Sequence, residues 1–169
     1  VTGSKPVITI DPLGILTVTD SNPDAKHYFT NASGLYVYAG DEQTGGLTEV
    51  TGGSITGGSS VNGGGVSISD GGTLTLAGGN IIGNSASDDG GGVYAGGLYV
   101  GSSFVMTGGN IIGNSAKSNG GGVYVAGGSS FVMKGGSITE NTGEWCCGGV
   151  YVYSGTFTMN GGSITKNNG

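Results

Sequence analysis

Gly120-Gly121-Gly122-Val123-Tyr124-Val125, then Ser130-Phe131-Val132-Met133, then Gly135-Gly136-Ser137-Ile138-Thr139 and Asn141 form one phrase that the chain repeats four times. The first Val of each copy falls at Val66, Val93, Val123 and Val150, in steps of 27, 30 and 27 residues. The central apolar residue falls at Leu74, Phe104, Phe131 and Phe157, and the Ile of the third element at Ile55, Ile81, Ile111, Ile138 and Ile164. A unit this short cannot bury its own apolar face, so neighbouring copies must stack to make a core. The one long step is local, because Val93 to Phe104 spans 11 residues where Val123 to Phe131 spans 8. Three extra residues within Ala95 to Val100 are therefore expected to bulge out while the phase resumes behind them.

Alternation within each short run reads as strand. It puts Val123, Val125, Phe131, Met133 and Ile138 on one side and Tyr124, Val132 and Thr139 on the other. Three strands per repeat, all running in the same sense, predict an all-β fold, a right-handed parallel β-helix that forms a three-sided solenoid. About five coils of 26–30 residues are expected. Coils stacked ~4.8 Å apart would pile Val on Val, Phe on Phe, Met on Met and Ile on Ile. Helix is excluded because glycine interrupts every window that might sustain a 3.6-residue apolar pattern. The 41 glycines cluster at fixed phases rather than at every third position, which excludes collagen.

The organisation along the chain follows from the same pattern. Residues 34–169 carry the repeats, and residues 1–33 read as an irregular opening coil and loop. In that opening segment two alternating strands flank Asp11-Pro12-Leu13-Gly14, and Asp20 to Thr30 is expected to be a polar loop. The chain opens at Val1 without a signal-peptide pattern, as expected of a mature product or of a segment of a longer protein. It closes at the phase where another triple glycine would begin, which suggests a cut from a longer solenoid or end-to-end stacking on a second copy.

Charge narrows the partners. Eleven Asp and Glu stand against five Lys, with no Arg, so the basic stripe of a nucleic-acid binder is missing. No run of ~18 apolar residues exists, so this segment has no membrane span of the helical kind.

The cadence Gly-Gly-Val-Tyr-Val, Gly-Thr-Phe-Thr-Met-Asn, Gly-Gly-Ser-Ile-Thr and Asn, from Gly148 to Asn167, resembles the repeats of large bacterial surface proteins with the pectate-lyase-like right-handed β-helix. It is similar in kind to the repeats of polymorphic outer-membrane adhesins, although here Asn follows Ile rather than Phe. The lead-in Ile8-Thr9-Ile10 through Gly14-Ile15-Leu16-Thr17-Val18-Thr19-Asp20 is also of the sort found in such proteins. The resemblance implies an extracellular or cell-surface location. The pectate-lyase-like fold also hosts polysaccharide lyases and hydrolases, so catalysis needs a test on the residues. Asp88 and Asp89 are adjacent acids, and their copies in the next coil are Ser118 and Asn119, which reads as a solvated corner rather than two acids facing across a cleft. Asp70, Glu140 and Glu144 read as surface charges. His27 is the only histidine, with no companion for a metal site and no paired nucleophile. No catalytic residue, cofactor or metal is expected.

Three sets of residues stand out. Asn84, Asn114, Asn141 and Asn167 each lie three residues after the Ile column and read as a structural ladder, since Asn tolerates turns and its amide both donates and accepts. Tyr36, Tyr94, Tyr124 and Tyr151, with Tyr38 and Tyr153 two residues on, place aromatics on the outer face. They either shield the sheet or offer a surface to a sugar ring or a partner. Trp145-Cys146-Cys147 is the most distinctive corner loop. The sequence leaves three fates open for its thiols: a vicinal disulfide, two free cysteines, or bonds to another chain.

The expected function is structural and adhesive: an extracellular β-helical segment that self-associates end to end or meets host or bacterial surface glycans or proteins. A carbohydrate-binding or polysaccharide-processing domain is the alternative. An ice-binding face is set aside, because Ser103/Val105 and Ser130/Val132 break the Thr73/Thr75 and Thr156/Thr158 array.

Overall fold

In a computed structural model of the chain, residues 52–169 are described in full, together with the backbone of strands Ile8–Ile10, Ile15–Val18, Tyr28–Thr30, Leu35–Tyr38 and Leu47–Val50. The chain is a parallel β-solenoid of about four turns, fewer than the five coils expected, and it has no helix among the described residues. Successive coils pair strand on strand, all parallel. Phe104 faces Leu74 on one side and Phe131 on the other, Ile111 lies between Ile81 and Ile138, and Val123 lies between Val93 and Val150.

Each coil carries four strands rather than three. The fourth is only two residues long, at Ser59–Ser60, Ser85–Ala86, Ser115–Ala116 and Thr142–Gly143, and stacks into its own sheet. Two residues are too few to show alternation, so the sequence pattern could not reveal this side. Tyr28–Thr30 is likewise a strand, paired with Ser54–Thr56, where a polar loop was expected; Tyr-Phe-Thr has the β-branched and aromatic character of a sheet element. The strand Ile8–Ile10 pairs with Leu35–Tyr38, so the opening segment joins the same stack of sheets. The remainder of the expected Asp20–Thr30 loop, with His27, lies outside the described residues.

The interior is a set of columns, with Val66, Leu74, Leu76, Ile81, Val93, Phe104, Met106, Ile111, Val123, Phe131, Met133 and Ile138 all fully buried. Stacking at one-layer spacing lets aromatic rings meet face to face: Phe104 and Phe131 lie 4.5 Å apart at 11°, Phe131 and Phe157 4.8 Å apart at 18°. The extra residues of the long repeat lie beyond Ala95, which remains in its strand between Ile68 and Val125. The bulge therefore occupies residues 96–102. Its tip exposes Leu98, Tyr99 and Val100.

Glycine at the triple-glycine corner is demanded by space. A β-carbon on Gly122 would stand 2.6 Å from the Gly149 carbonyl oxygen, 2.9 Å from Ile138 Cγ2 and 3.1 Å from Asn141 Nδ2. One layer of chain lies directly on the next there, and nothing larger than hydrogen fits.

The columns set a clear expectation for substitution. Phe131→Ala should lose roughly 3–5 kcal/mol by leaving a cavity between two stacked rings, whereas Thr158→Ala, on the exposed outer face, should cost within about 0.5 kcal/mol. Denaturant titration checks this, and equal losses would overturn the assignment of faces.

Candidate functional site

The four asparagines after the Ile column form a continuous hydrogen-bonded file along one corner. The Asn84 backbone N and Nδ2 both donate to Asn114 Oδ1 at 2.9 Å, and Asn84 Nδ2 also donates to the Ile55 carbonyl at 3.0 Å. Asn114 repeats this on Asn141 Oδ1 and the Ile81 carbonyl, and Asn141 on Asn167 Oδ1 and the Ile111 carbonyl. The side-chain amides of Asn114 and Asn141 thus each accept twice and donate twice, where an unpaired buried polar group would be costly. A second file on the outer face, which the sequence reading missed, joins Ser54, Asn80, Asn110 and Ser137.

The acid pair is drawn into a third file. Asp88 accepts from Ser118 Oγ at 2.7 Å, and Asp89 Oδ1 accepts from the Asn119 backbone N and Nδ2, both at 3.0 Å. The Asp89 backbone N donates to Asn62 Oδ1 at 3.1 Å, and the Asp89 carboxylate lies close enough to the Tyr124 phenol to act on it electrostatically. Asp89 is therefore half-buried and tied to its neighbours, and only Asp88 fits the solvated corner expected of both. Asp70, read from sequence as an idle surface charge, accepts at Oδ1 from the backbone N of Leu98 (2.8 Å) and Tyr99 (3.3 Å) and pins the bulged loop. An apolar triplet inside an insertion was the one signal for that loop.

The tyrosines lie in one row. Tyr94 and Tyr124 stack with centroids 5.3 Å apart at 9°, and Tyr124 and Tyr151 sit 5.3 Å apart at 33°. Tyr124 is only 8% exposed, its ring covered on both faces by its neighbours. The centre of the row therefore has no open ring face for a sugar ring to stack on. Ser67 separates Tyr94 from Tyr36 in the strand register; Tyr38 pairs by its backbone with Ser69, and the side chains of Tyr36 and Tyr38 lie outside the described residues. Tyr153 is exposed at the end of its strand. Burial, then Asp89 and Asp88, push the Tyr94 phenol up from its ordinary value. Burial first, then Asp89, also raise Tyr124.

Trp145 is 82% exposed, and Cys146 and Cys147 beside it are joined as a vicinal disulfide. Cys146 pairs as a bridge with Asn119, so this corner tops the file of Asn62, Asp89 and Asn119. Among the described residues no three His, Cys, Asp or Glu side chains gather into a metal-binding group.

Comparison with protein-family models, with curated proteins and with solved structures returns no match. The parallel β-solenoid stands on its own geometry, and the likeness to adhesin repeats has no family match behind it.

Two outcomes follow from these files. Asn114→Ala orphans the Asn84 amide groups and the Ile81 carbonyl and should cost about 3 kcal/mol or more, against about 1 kcal/mol or less for Asn80→Ala on the outer face; chemical denaturation compares them. For the phenols, the folded state holds protons that the unfolded chain releases near pH 10, so stability is full below that value and falls as pH rises beyond it. Melting temperatures from pH 8 to 11 should show the loss, and Tyr124→Phe should reduce it.

Proposed function

We propose that this chain is a non-catalytic, extracellular structural and adhesive β-solenoid segment of a bacterial surface protein. The observation that carries the reading is where the polar groups point. The repeated Asn, Asp and Ser side chains bond to their own copies one layer away, leaving no pair of acids converging on a shared cleft among the described residues. What the surface offers instead is contact. Leu98, Tyr99, Trp145 and Tyr153 are all more than half exposed on a rigid frame, and aromatic side chains of this kind anchor interfaces. A disulfide in a small glycine-rich chain also favours an oxidising, external setting.

End-to-end association belongs to the same proposal. In the coil of Val150, Phe157 and Ile164 the core columns are only partly covered, and a further coil, from the same polypeptide or a second copy, would complete them. The sugar-binding alternative is the weaker one, because Tyr124, at the centre of the row, has both ring faces covered and each of its neighbours has one face covered.

The test has a binding arm and a chemical arm. On arrays of host and bacterial surface proteins and glycans, the chain should bind at least one class, and Leu98→Ser with Tyr99→Ser should weaken that binding with melting temperature unchanged. Incubation with pectin, alginate and host glycans, with Ca²⁺ present, should release no product. Turnover that disappears in Asp88→Asn or Asp89→Asn would overturn the scaffold reading. Sedimentation at rising concentration should show larger species, fewer of them for Phe157→Lys.

A further inference from the structure

The Cys146–Cys147 corner stands apart from its three counterparts. Aligned by layer, Cys147 occupies the position of Gly63, Gly90 and Gly120, all of which have left-handed backbone (φ 66°, 69° and 64°). Cys147 keeps that conformation at φ 61°. The glycines are there because a β-carbon on Gly90 would stand 2.6 Å from the Val93 carbonyl oxygen, and one on Gly120 2.5 Å from that of Val123. Cys147 brings a β-carbon to the one type of corner that its three counterparts leave without one.

Other non-glycine residues with left-handed backbone show the contrast. Glu140 and Lys166 replace Gly57, Gly83 and Gly113 at the corner before the asparagine, where a β-carbon on Gly57 or Gly113 would meet nothing within 4 Å. Substitution is tolerated there because the space is open. At Gly63, Gly90 and Gly120, the counterparts of Cys147, it is closed, so a residue with a β-carbon at this corner needs something to hold it in place. A second departure accompanies it. Gly143 stands where Ala86 and Ala116 fill the short sheet, and a β-carbon on Gly143 would collide with the Cys146 carbonyl oxygen. The carbonyl crowds a space that alanine fills in the coils below.

We propose that Cys146–Cys147 is a thiol–disulfide exchange site whose redox state sets the conformation of this corner. The substrate class is a dithiol, or two equivalents of a monothiol. A thiolate RS⁻ attacks one Sγ, the S–S bond breaks, and its electron pair leaves on the other Sγ, which takes up a proton. A second RS⁻ then attacks the mixed disulfide at the sulfur of R, forming RSSR and releasing the second cysteine, which is protonated in turn. The adjacent thiol resolves any mixed disulfide within the same two-residue ring, so the couple runs as a two-electron switch rather than as a lasting tether to another chain. Both cysteines are half-buried and open to a small thiol.

The ring ties Cys147 to its neighbour in the folded and the unfolded chain alike, so it restricts the backbone before folding begins. Once reduced, Cys147 becomes an ordinary L-residue that must be forced into the left-handed backbone that its three counterparts meet with glycine. The corner then loosens where Gly120 N and Gly121 N donate to the Cys146 and Cys147 carbonyls, each at 3.2 Å. Trp145, the only tryptophan, sits next to the switch and reports on it.

Dithiothreitol is the probe, with iodoacetamide mass labelling, Trp145 emission, melting temperature and amide hydrogen exchange as readouts. The air-oxidised chain should take up no label, and the reduced chain two equivalents with altered emission. Reduction should lower the melting temperature by roughly 2–8 °C. Exchange at Gly120 and Gly121 should speed up about tenfold. Cys146→Ser/Cys147→Gly, which restores the glycine, should ignore dithiothreitol and melt at or above the oxidised chain. Cys146→Ser/Cys147→Ala, which keeps the β-carbon without the bond, should match the reduced chain. Two labelled thiols before reduction, or unchanged exchange at Gly120 and Gly121 after it, would overturn the proposal even if the alanine variant fails to fold.

Discussion

Each coil lies on the next in register, and that contact between identical layers is what the rest of the molecule depends on. Parallel pairing at one-layer spacing forces each residue to sit on its own copy, so a position is acceptable only if it is compatible with itself. Phe104, Phe131 and Phe157 meet that condition by stacking ring on ring. Asn84, Asn114, Asn141 and Asn167 meet it by donating and accepting along one line, which no acid or base of a single charge could do without repelling its neighbours. Glycine meets it where the layers come too close for any side chain.

The same rule governs the charged residues. Asp89 is an acid in a file whose other members are Asn62 and Asn119, so its charge faces amide donors above it rather than another carboxylate. Burial and then the Asp89 charge help the Tyr124 phenol to hold its proton. A single charge per file is stable, whereas a repeated charge would destabilise the stack.

Departures from the repeat are then the places where something other than stacking is being served. The 96–102 bulge leaves the layer, and Asp70 and Ser102 hold its ends and backbone while apolar side chains face solvent. The Trp145-Cys146-Cys147 corner stays in the layer but breaks its glycine rule, with Gly143 accommodating the change from the inside. One departure presents a surface and the other presents a covalent bond.

The period, the strand phases, the inward columns and the asparagine positions were all legible in the sequence. The reason is physical: in a solenoid the residues that touch are those that share a phase, so spacing along the chain becomes contact in space. The short fourth strand was not legible, because Ser-Ala and Thr-Gly carry no alternation, and Tyr28–Thr30 was hidden by the polar residues before it. Nor could the sequence tell an exposed tyrosine face from a covered one. That outcome depends on ring tilt between Tyr94, Tyr124 and Tyr151, which are 27 to 30 residues apart in the chain and one layer apart in space. The bond between Cys146 and Cys147, the left-handed backbone of Cys147 and the effect of Asp89 on Tyr124 likewise belong to the tertiary structure alone. The sequence by itself determined which residues meet; only the folded corners decided how much room they have when they do.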